Sequence, residues 1–585
     1  MSLPRKNLHR VQIVEGYVYE QNVDIPLQGA QKGGVVRANV YRPRGEGRYP
    51  VLVTYGPYGK DIPYAQFRPK QFQDVNPRQK STNSAWETPD PKYWTDNEYV
   101  VVRADERGLG QSPGLLDTMS AGTADCFYDV VEWAAEQPWS NGKVGLLGIS
   151  YYAGSQWRVA ARRPKGLAAI VPWEGMSDYY RDRVRHGGIL ANTFISRWWN
   201  MQVITNQYGR PGKAARNWGP DTLEGDLTED VLEKNRRDQT LDTARHKFRD
   251  EQYYASKEFN LEDIEVPLLS VANWGGILLH LRGNILGYMY AGSKFKYLRC
   301  ITGRHDLPFY YDQEVEVQRS FLDAFLKGND DRGWKEPGKV PAVDLVLRQG
   351  APKYNCAEDE LATFPRRQEN EWPIARTVYQ KFHLTAEGAL EKEQPFKQKT
   401  MSYEASNGIV QFFTKALPEK LEITGHPVLR VSMSLSSVDN SHPTDMDVFV
   451  TLRHIGPNDE EVFYTGTAGD PVPIVKGWLR ASLRKTDTTH PKHKEYLPYR
   501  HYFSSDVQPV SLDKIYTLDI EIWPTNVVID KGGKLVVEIA GHDTQGSGYF
   551  THNHPEDRPL VKFQGRNNLH FGSDLDNYLL APVIL

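Results

Sequence analysis

Cysteine is scarce in this chain: three in 585 residues, Cys126, Cys300 and Cys356. They are scattered and odd in number, and no C-x-x-C spacing occurs. They therefore read as core thiols of a protein in a reducing compartment, with neither a disulfide framework nor a metal site among them. Long apolar runs are missing too. Without roughly 18 consecutive apolar residues no transmembrane helix is expected. The first residues, Met1 to Asn7, lead into no apolar stretch of the kind a secretory signal needs. The final Ala-Pro-Val-Ile-Leu is not a lipidation or retention signal. An excess of either charge is also lacking: 71 Lys and Arg stand against 74 Asp and Glu, a net charge of −3. Neither nucleic acid nor an anionic membrane is expected as a partner on that balance. Repeats and low-complexity tracts are absent. A cytoplasmic location follows by elimination, and homo-oligomerisation stays open.

What is present is a soluble globular composition, 39% hydrophobic and 25% charged, on a chain too long for one core. Short apolar runs such as Pro50–Tyr55, Tyr99–Ala104, Val144–Ile149, Leu167–Val171, Val266–Ala272 and Tyr297–Gly303 have the look of buried parallel strands. Helical spacing separates several of them, at Gly122–Glu136, Tyr152–Ala161 and Glu314–Lys327. Strands alternating with helices imply an α/β fold with a right-handed parallel sheet. Alternating strands between Val11 and Arg42 read as antiparallel edge strands. From about Gly175 to Asp263 the alternation stops, and the sequence turns polar and mostly helical, as an inserted cap over the strand ends would. After Pro337 short alternating strands dominate, among them Ala342–Leu347, Leu429–Leu435, Asp447–Leu452 and Lys534–Ala540. They predict an all-β sandwich of jelly-roll type. The expected division is 1–174 and 264–335 for the α/β core, 175–263 for the cap and 336–585 for the sandwich.

The stretch Val144-Gly145-Leu146-Leu147-Gly148-Ile149-Ser150-Tyr151-Tyr152-Ala153-Gly154 carries the chemistry. A strand, a sharp turn with a serine at its tip and a helix make the nucleophile elbow of α/β-hydrolases. The elbow places Ser150 Oγ near a helix N-terminus, where backbone N–H groups can stabilise an oxyanion. The match to G-x-S-x-G is incomplete, because Tyr152 stands at the second glycine position. A serine nucleophile needs a base, and in this fold the base follows the last strand. His305, in Thr302-Gly303-Arg304-His305-Asp306-Leu307-Pro308, holds that place. Asp105 and Arg107 read as a salt bridge fixing a loop.

A longer string of motifs resembles the cocaine esterase / X-Pro dipeptidyl-peptidase family of serine hydrolases. It comprises Pro57-Tyr58-Gly59-Lys60, Asp105-x-Arg107-Gly108-x-Gly110-x-Ser112-x-Gly114, and Trp133-x-x-x-Gln137-Pro138-Trp139-Ser140-Asn141-Gly142-Lys143-Val144-Gly145. Gly148-x-Ser150-Tyr151-x-x-Gly154, Trp478-Leu479-Arg480-Ala481-Ser482 and Asn577-Tyr578-Leu579-Leu580-x-Pro582 continue it. The resemblance spans nearly the whole chain. It implies an α/β-hydrolase core, a helical cap and a C-terminal jelly roll, and hydrolysis of an ester or amide of a small molecule with no cofactor. It also implies Ser150 as nucleophile, His305 as base, and the Tyr58 hydroxyl with the Tyr151 backbone N–H as oxyanion hole. A phenol suits that role, since it donates to a developing alkoxide without carrying charge.

One carry-over fails. The family's acid lies two residues beyond a Trp, after the strand ending at Ala272. Here the sequence reads Asn273-Trp274-Gly275-Gly276-Ile277, and Gly276 cannot orient a histidine. The acid can instead come from the end of the preceding strand, where Val171-Pro172-Trp173-Glu174 offers Glu174, whose longer side chain reaches further than an Asp. Asp178 or Asp306 are the other carboxylates at hand. The remaining arrangements are a dyad or a site without hydrolase activity. Tyr179, Tyr180, His186, Trp198 and Trp199 of the cap are candidates to line the acyl pocket or to pack its core. Two readings beside hydrolysis keep the same scaffold: acyl transfer or cyclisation in a small-molecule pathway, and a catalytically silent binding protein.

Overall fold

The apolar runs assemble into an 11-stranded sheet in this computed structural model, which describes residues 8–394, 397–439 and 441–585. The segment in which no secretory signal was found, 1–7, lies outside the described residues. Across the sheet the strands run Arg10–Val14, Tyr17–Pro26, Val35–Arg42, Val100–Asp105, Tyr49–Gly56, Ser140–Ile149, Leu167–Trp173, Leu268–Asn273, Lys296–Ile301, Val343–Val346 and Arg366–Glu369. Neighbours from Val100–Asp105 to Val343–Val346 pair in parallel, and the outer strands pair antiparallel. Strand periodicity sends alternate side chains into two separate cores. Val51, Val53, Leu146 and Ile170 pack on one face with Phe127, Val130 and Trp157. Leu52, Leu147, Ile149, Val171 and Trp173 pack on the other with Phe309, Phe321 and Leu326. Helices Ala121–Glu136, Tyr151–Ala160, Leu281–Tyr290 and Asp312–Leu322 supply the cover.

The strand expected to open the sandwich, Ala342–Leu347, belongs instead to this sheet. Val343–Val346 lies parallel to Lys296–Ile301, with Leu298 opposite Val343 and Arg299 opposite Asp344. Arg299 bonds Glu314 at 2.6 and 2.7 Å and also pairs with Asp344, so a charged clamp fixes the register. An alternating strand suits either sheet, and only this long-range pairing decides between them. The loop after Val100–Asp105 also departs from expectation. Asp105 accepts the backbone N–H groups of Lys60 and Gln111, each at 2.7 Å, and no Asp105–Arg107 ion pair forms among the described residues. Cys126 and Cys300 are buried thiols, whereas Cys356 is partly exposed.

The segment after Glu174 forms the cap from short pieces: an irregular turn at Tyr179–Val184, a two-residue hairpin and helices including Asn192–Trp198, Glu229–Lys234 and Gln239–Arg245. The C-terminal region folds as antiparallel sheets of nine and five strands, with pairs such as Tyr379 opposite Pro582 and Phe449 opposite Ala540. Its core is continuous with that of the α/β region, because Trp274, Ile277, Leu281 and Leu298 join Leu429, Val431, Val448 and Leu579 in one cluster. No helix among the described residues is long and apolar enough to cross a membrane.

Buried charges pin the cap to the sandwich. Asp557 pairs with Arg185 of the cap at 2.7 Å and with Arg480 of the sandwich at 3.0 Å, and its side chain is fully buried. Arg480 also holds Asp447 at 2.8 Å. Burial alone would raise the Asp557 carboxyl, but the two guanidiniums outweigh it and hold it far below the usual range. Removing Asp557 leaves the buried Arg185 without a carboxylate and Arg480 with Asp447 alone, and breaking a buried pair in this way typically costs about 3–5 kcal/mol. Asp557→Ala is therefore expected to lower the thermal unfolding midpoint clearly in a calorimetric scan. Lys339→Ala, which breaks only the exposed Lys339–Glu336 pair, is expected to leave the midpoint within error.

Candidate active site

Strand Ser140–Ile149 ends at a backbone that few residues adopt: Ser150 has φ 63° and ψ −114°. Its N–H donates to Trp173 O at 3.0 Å, and its carbonyl accepts from Ala153 and Gly154 as the helix begins. The elbow is thus held from both sides, which is what a strained conformation needs to persist. Tyr152, at the position of the missing glycine, fits because room is made elsewhere. A Cβ on Gly148 would lie 2.7 Å from Tyr152 Cβ, and one on Gly56 would lie 2.7 Å from its ring.

A carboxylate reaches His305 from the neighbouring strand end. Glu174 follows strand Leu167–Trp173 in the left-handed region, at φ 48°, and is fully buried. Its Oε2 lies 2.7 Å from His305 Nδ1, and its Oε1 accepts from Asn273 Nδ2 at 3.0 Å. Asn273 Nδ2 also donates to Gly303 O at 2.7 Å, tying the acid to the histidine loop. A Cβ on Gly276 would stand 3.9 Å from Glu174 Oε2. The carboxylate therefore occupies the space that a side chain from position 276 would enter. The other two carboxylates are engaged elsewhere: Asp178 with Arg181, and Asp306 with Arg304 at 2.6 Å and with Tyr64 at 3.2 Å.

Two groups that the motifs did not reveal complete the surroundings. Ser150 Oγ lies 3.2 Å from His280 Nε2, while His280 Nδ1 accepts the Met176 N–H at 3.1 Å. With Nδ1 an acceptor, neutral His280 carries its proton on Nε2 and donates it to Ser150 Oγ. Burial first, then the charges of His305 and Arg183, push the His280 pKa well below its ordinary value, so the ring stays neutral. It stacks on His305 with centroids 5.1 Å apart and planes 10° apart. Glu87 is the second group. Its carbonyl accepts the Ile149 N–H at 3.1 Å, its φ is 60°, and its Oε1 lies 3.4 Å from His305 Nε2. In this arrangement Nε2 faces Glu87, and Ser150 is hydrogen-bonded to His280. Glu87 sits in a polar, aperiodic stretch, so no local pattern marks it. His280, just ahead of a helix, carries the weaker signal of a lone histidine beyond a strand end.

Tyr58 is buried, and its hydroxyl oxygen accepts from Trp198 Nε1 at 3.0 Å, which leaves the phenolic hydrogen free to donate. Burial, then the nearby Glu87, keeps this phenol well above its usual pKa and so neutral. The Tyr151 side chain turns away, donating to Glu106 at 2.9 Å and accepting from Met119 N. Its backbone N–H opens helix Tyr151–Ala160 and has no acceptor within the helix.

Ser150, Tyr58, Glu87 and His305 line a cavity of about 300 Å³. Phe194, Trp198 and Met201 close it from the cap, and Thr467, Ala468, Tyr549 and Phe550 from the sandwich. Phe194 stacks on Phe550 at 4.7 Å, and His305 N–H donates to Thr467 O at 3.1 Å, so both additions to the core shape the site. Of the five aromatic cap candidates only Trp198 reaches this cavity. Tyr179, Tyr180 and Trp199 pack inside the cap, and His186 packs on Trp478 and His552 at the sandwich. A larger cavity of about 680 Å³ lies between Arg181, Arg249, Arg282 and Lys492, away from Ser150. Its charges are paired with one another, as in Arg249–Glu258 and Lys492–Glu262. Among the described residues no group of three or more His, Cys, Asp or Glu could hold a metal ion.

Burial alone would pull the His305 imidazolium down, but Glu174 and then Glu87 outweigh it and raise the pKa from 6.5 to about 10. The folded value exceeds the unfolded one, so charged His305 stabilises the fold fully below about pH 6.5 and loses that contribution as pH rises through about 10. Titration of labelled histidine Cε1 by NMR is expected to give a wild-type midpoint far above 6.5. Glu87→Gln should lower that midpoint, and Glu174→Gln should lower it further.

Comparison with known proteins agrees with this architecture. Residues 32–288 match the family described as X-Pro dipeptidyl-peptidase (S15 family), and residues 336–580 match the X-Pro dipeptidyl-peptidase C-terminal non-catalytic domain. Cocaine esterase of Rhodococcus sp. (strain MB1 Bresler) is 26% identical over 409 residues, covering 64% of this chain and 64% of the esterase. The chain thus spans just under two thirds of that relative's length in the match. A CocE/NonD family hydrolase from Staphylococcus aureus superposes with a TM-score of 0.81 at 26% identity, over 98% of this chain and 96% of the other. An aminopeptidase from a marine sediment Thaumarchaeota archaeon shares the fold, with a TM-score of 0.67 at 16% identity over 100% and 99% of the two chains.

Proposed function

The chain belongs to the X-Pro dipeptidyl-peptidase (S15) and cocaine esterase family of serine hydrolases, and from that premise we propose that it cleaves an ester or amide through an acyl-enzyme on Ser150, with His305 as base and Glu174 as the relocated acid. The observation that carries this reading is the 2.7 Å bond from His305 Nδ1 to Glu174 beside a serine held at φ 63°.

Ser150 Oγ already accepts from His280, so its own hydrogen is left to donate. At rest the His305 Nε2 proton faces Glu87, whose carboxyl pKa is raised by burial. That proton passes to the Glu87 carboxylate, and the neutral Nε2 turns to Ser150, takes its proton as Oγ attacks the carbonyl carbon, and returns it to the leaving group. Glu174 holds Nδ1–H and offsets the imidazolium charge that forms. The negative oxygen of the tetrahedral intermediate is met by the Tyr58 hydroxyl and the Tyr151 N–H, both neutral donors held in place before reaction. Water then attacks the acyl-enzyme by the same route, releasing the acid and restoring Ser150.

Two variants test the assignment. Glu174→Gln is expected to lower kcat on a 4-nitrophenyl ester by about two to four orders of magnitude, with the fold intact by circular dichroism. The double variant Glu174→Gly with Gly276→Asp moves the carboxylate to the other strand end, into the same space. It is expected to recover at least tenfold of the activity that Glu174→Gly loses. Glu174→Gln at the wild-type rate would exclude the acid role, and a fluorophosphonate that leaves Ser150 unlabelled would exclude the nucleophile.

A further inference from the structure

The charges around the Ser150 cavity are unevenly satisfied. Its acids each have a cationic partner: Glu87 faces His305 through Oε1, although its Oε2 has no hydrogen-bond partner, and Asp306 is held by Arg304 at 2.6 Å. Its arginines do not all have an anionic one. Arg304 bridges Asp306 and Asp74, but Arg68 and Arg197, which line the same cavity, form no ion pair and no side-chain hydrogen bond among the described residues. Each rests on an aromatic face instead. The Arg68 guanidinium lies 4.9 Å from the Phe67 ring and 5.5 Å from the Trp86 ring, and Arg197 lies 4.2 Å from the Tyr549 ring. Aromatic faces hold a guanidinium in place while leaving its N–H edges open to a ligand.

A third guanidinium stands behind the wall. Arg183 is only 4% exposed and lies 4.4 Å from Trp198 and 5.5 Å from Phe194, both cavity residues. Its Nε and Nη2 are buried without a hydrogen-bond partner. An unpaired buried cation is costly, and most buried arginines elsewhere in this chain, such as Arg185, Arg282 and Arg480, have carboxylates. Three guanidiniums in or behind the cavity wall thus have no carboxylate bonded to them among the described residues.

We propose that the substrate of this cavity carries a carboxylate, held by the open edges of Arg68 and Arg197 while its ester or amide carbonyl meets Ser150. The inference rests on the hydrolase reading above and names its substrate class. Guanidinium and carboxylate match as planar forks, and Trp86, Phe194 and Phe550 cover the apolar stem between carboxylate and carbonyl. The residual field of Arg183 favours an anion over an amine at the same place.

The test compares mono-4-nitrophenyl adipate with its methyl-capped neutral counterpart, each corrected for spontaneous hydrolysis. The expected wild-type kcat/KM is about tenfold or more in favour of the free carboxylate. Arg68→Ala and Arg197→Ala should each reduce that ratio at least threefold, chiefly through KM. Arg197→Lys should restore part of it, and 0.5 M salt should shrink it. A wild-type ratio of one or below, with the capped ester still turned over, would overturn the carboxylate assignment while leaving the hydrolase reading standing. A ratio unmoved in the Arg68→Ala/Arg197→Ala double variant would also overturn it. No turnover of either ester, with Ser150 unlabelled by a fluorophosphonate, would overturn both.

Discussion

The hydrogen-bonded pair of Glu174 and His305 is the constraint on which the site depends. It joins the end of one strand to the loop beyond another, and both partners are buried. A buried carboxylate is tolerable only with good partners. Glu174 has two, the imidazole and Asn273, and Asn273 in turn grips the Gly303 carbonyl. The order of the strands makes this possible: Leu167–Trp173, Leu268–Asn273 and Lys296–Ile301 are neighbours. Their C-terminal ends bring Glu174, Asn273 and His305 to one place, as open α/β sheets do.

The cap and the sandwich then decide what kind of place it is. The sheet by itself presents Ser150 to solvent. Phe194 and Trp198 from one side, and Tyr549 and Phe550 from the other, narrow the space to about 300 Å³. That enclosure strengthens the charges buried there, Glu87, Glu174 and His305, because water screens them less. It accounts for the raised pKa of His305 between two carboxylates, and for the lowered one of His280, which has no carboxylate of its own. The same enclosure depends on distant interactions, since the cap stays on the sandwich through the buried Arg185–Asp557–Arg480 cluster.

Much of this was legible in the sequence because it is locally encoded. A buried strand, a turn and a helix announce Ser150, and chain position announces His305. Tyr58 is marked by a short motif after the strand that neighbours the elbow. Glu174 was legible by reach, from knowing which strand ends adjoin. Features set by long-range pairing were not. Alternation in Ala342–Leu347 suits a sandwich or a sheet edge equally, and only Arg299 with its two acids chooses the edge. Glu87 lies in a stretch without period, and its importance comes from the Ile149 N–H it meets, 62 positions away in the chain. Asp105 and Arg107 looked like partners because they are near in sequence, yet the acid serves the backbones of two loops.

Gly276 and Glu174 are coupled through space. A side chain at 276 would begin 3.9 Å from the Glu174 carboxylate. Were that side chain an Asp, then with Glu87 already facing Nε2 a second carboxylate would crowd that of Glu174 at His305 Nδ1. They cannot both ionise at such a distance, so one would be protonated and the histidine would lose part of its field. A glycine at 276 removes the conflict and frees the volume that the longer Glu fills from the opposite strand. The left-handed backbone at Glu174 fits the same account. Strain of about 1–3 kcal/mol at a non-glycine residue persists where the surroundings enforce it, and here the bonds to His305 and Asn273 do so. In the proposed mechanism the acid is thus supplied from the preceding strand, at the point in space that a side chain from position 276 would enter.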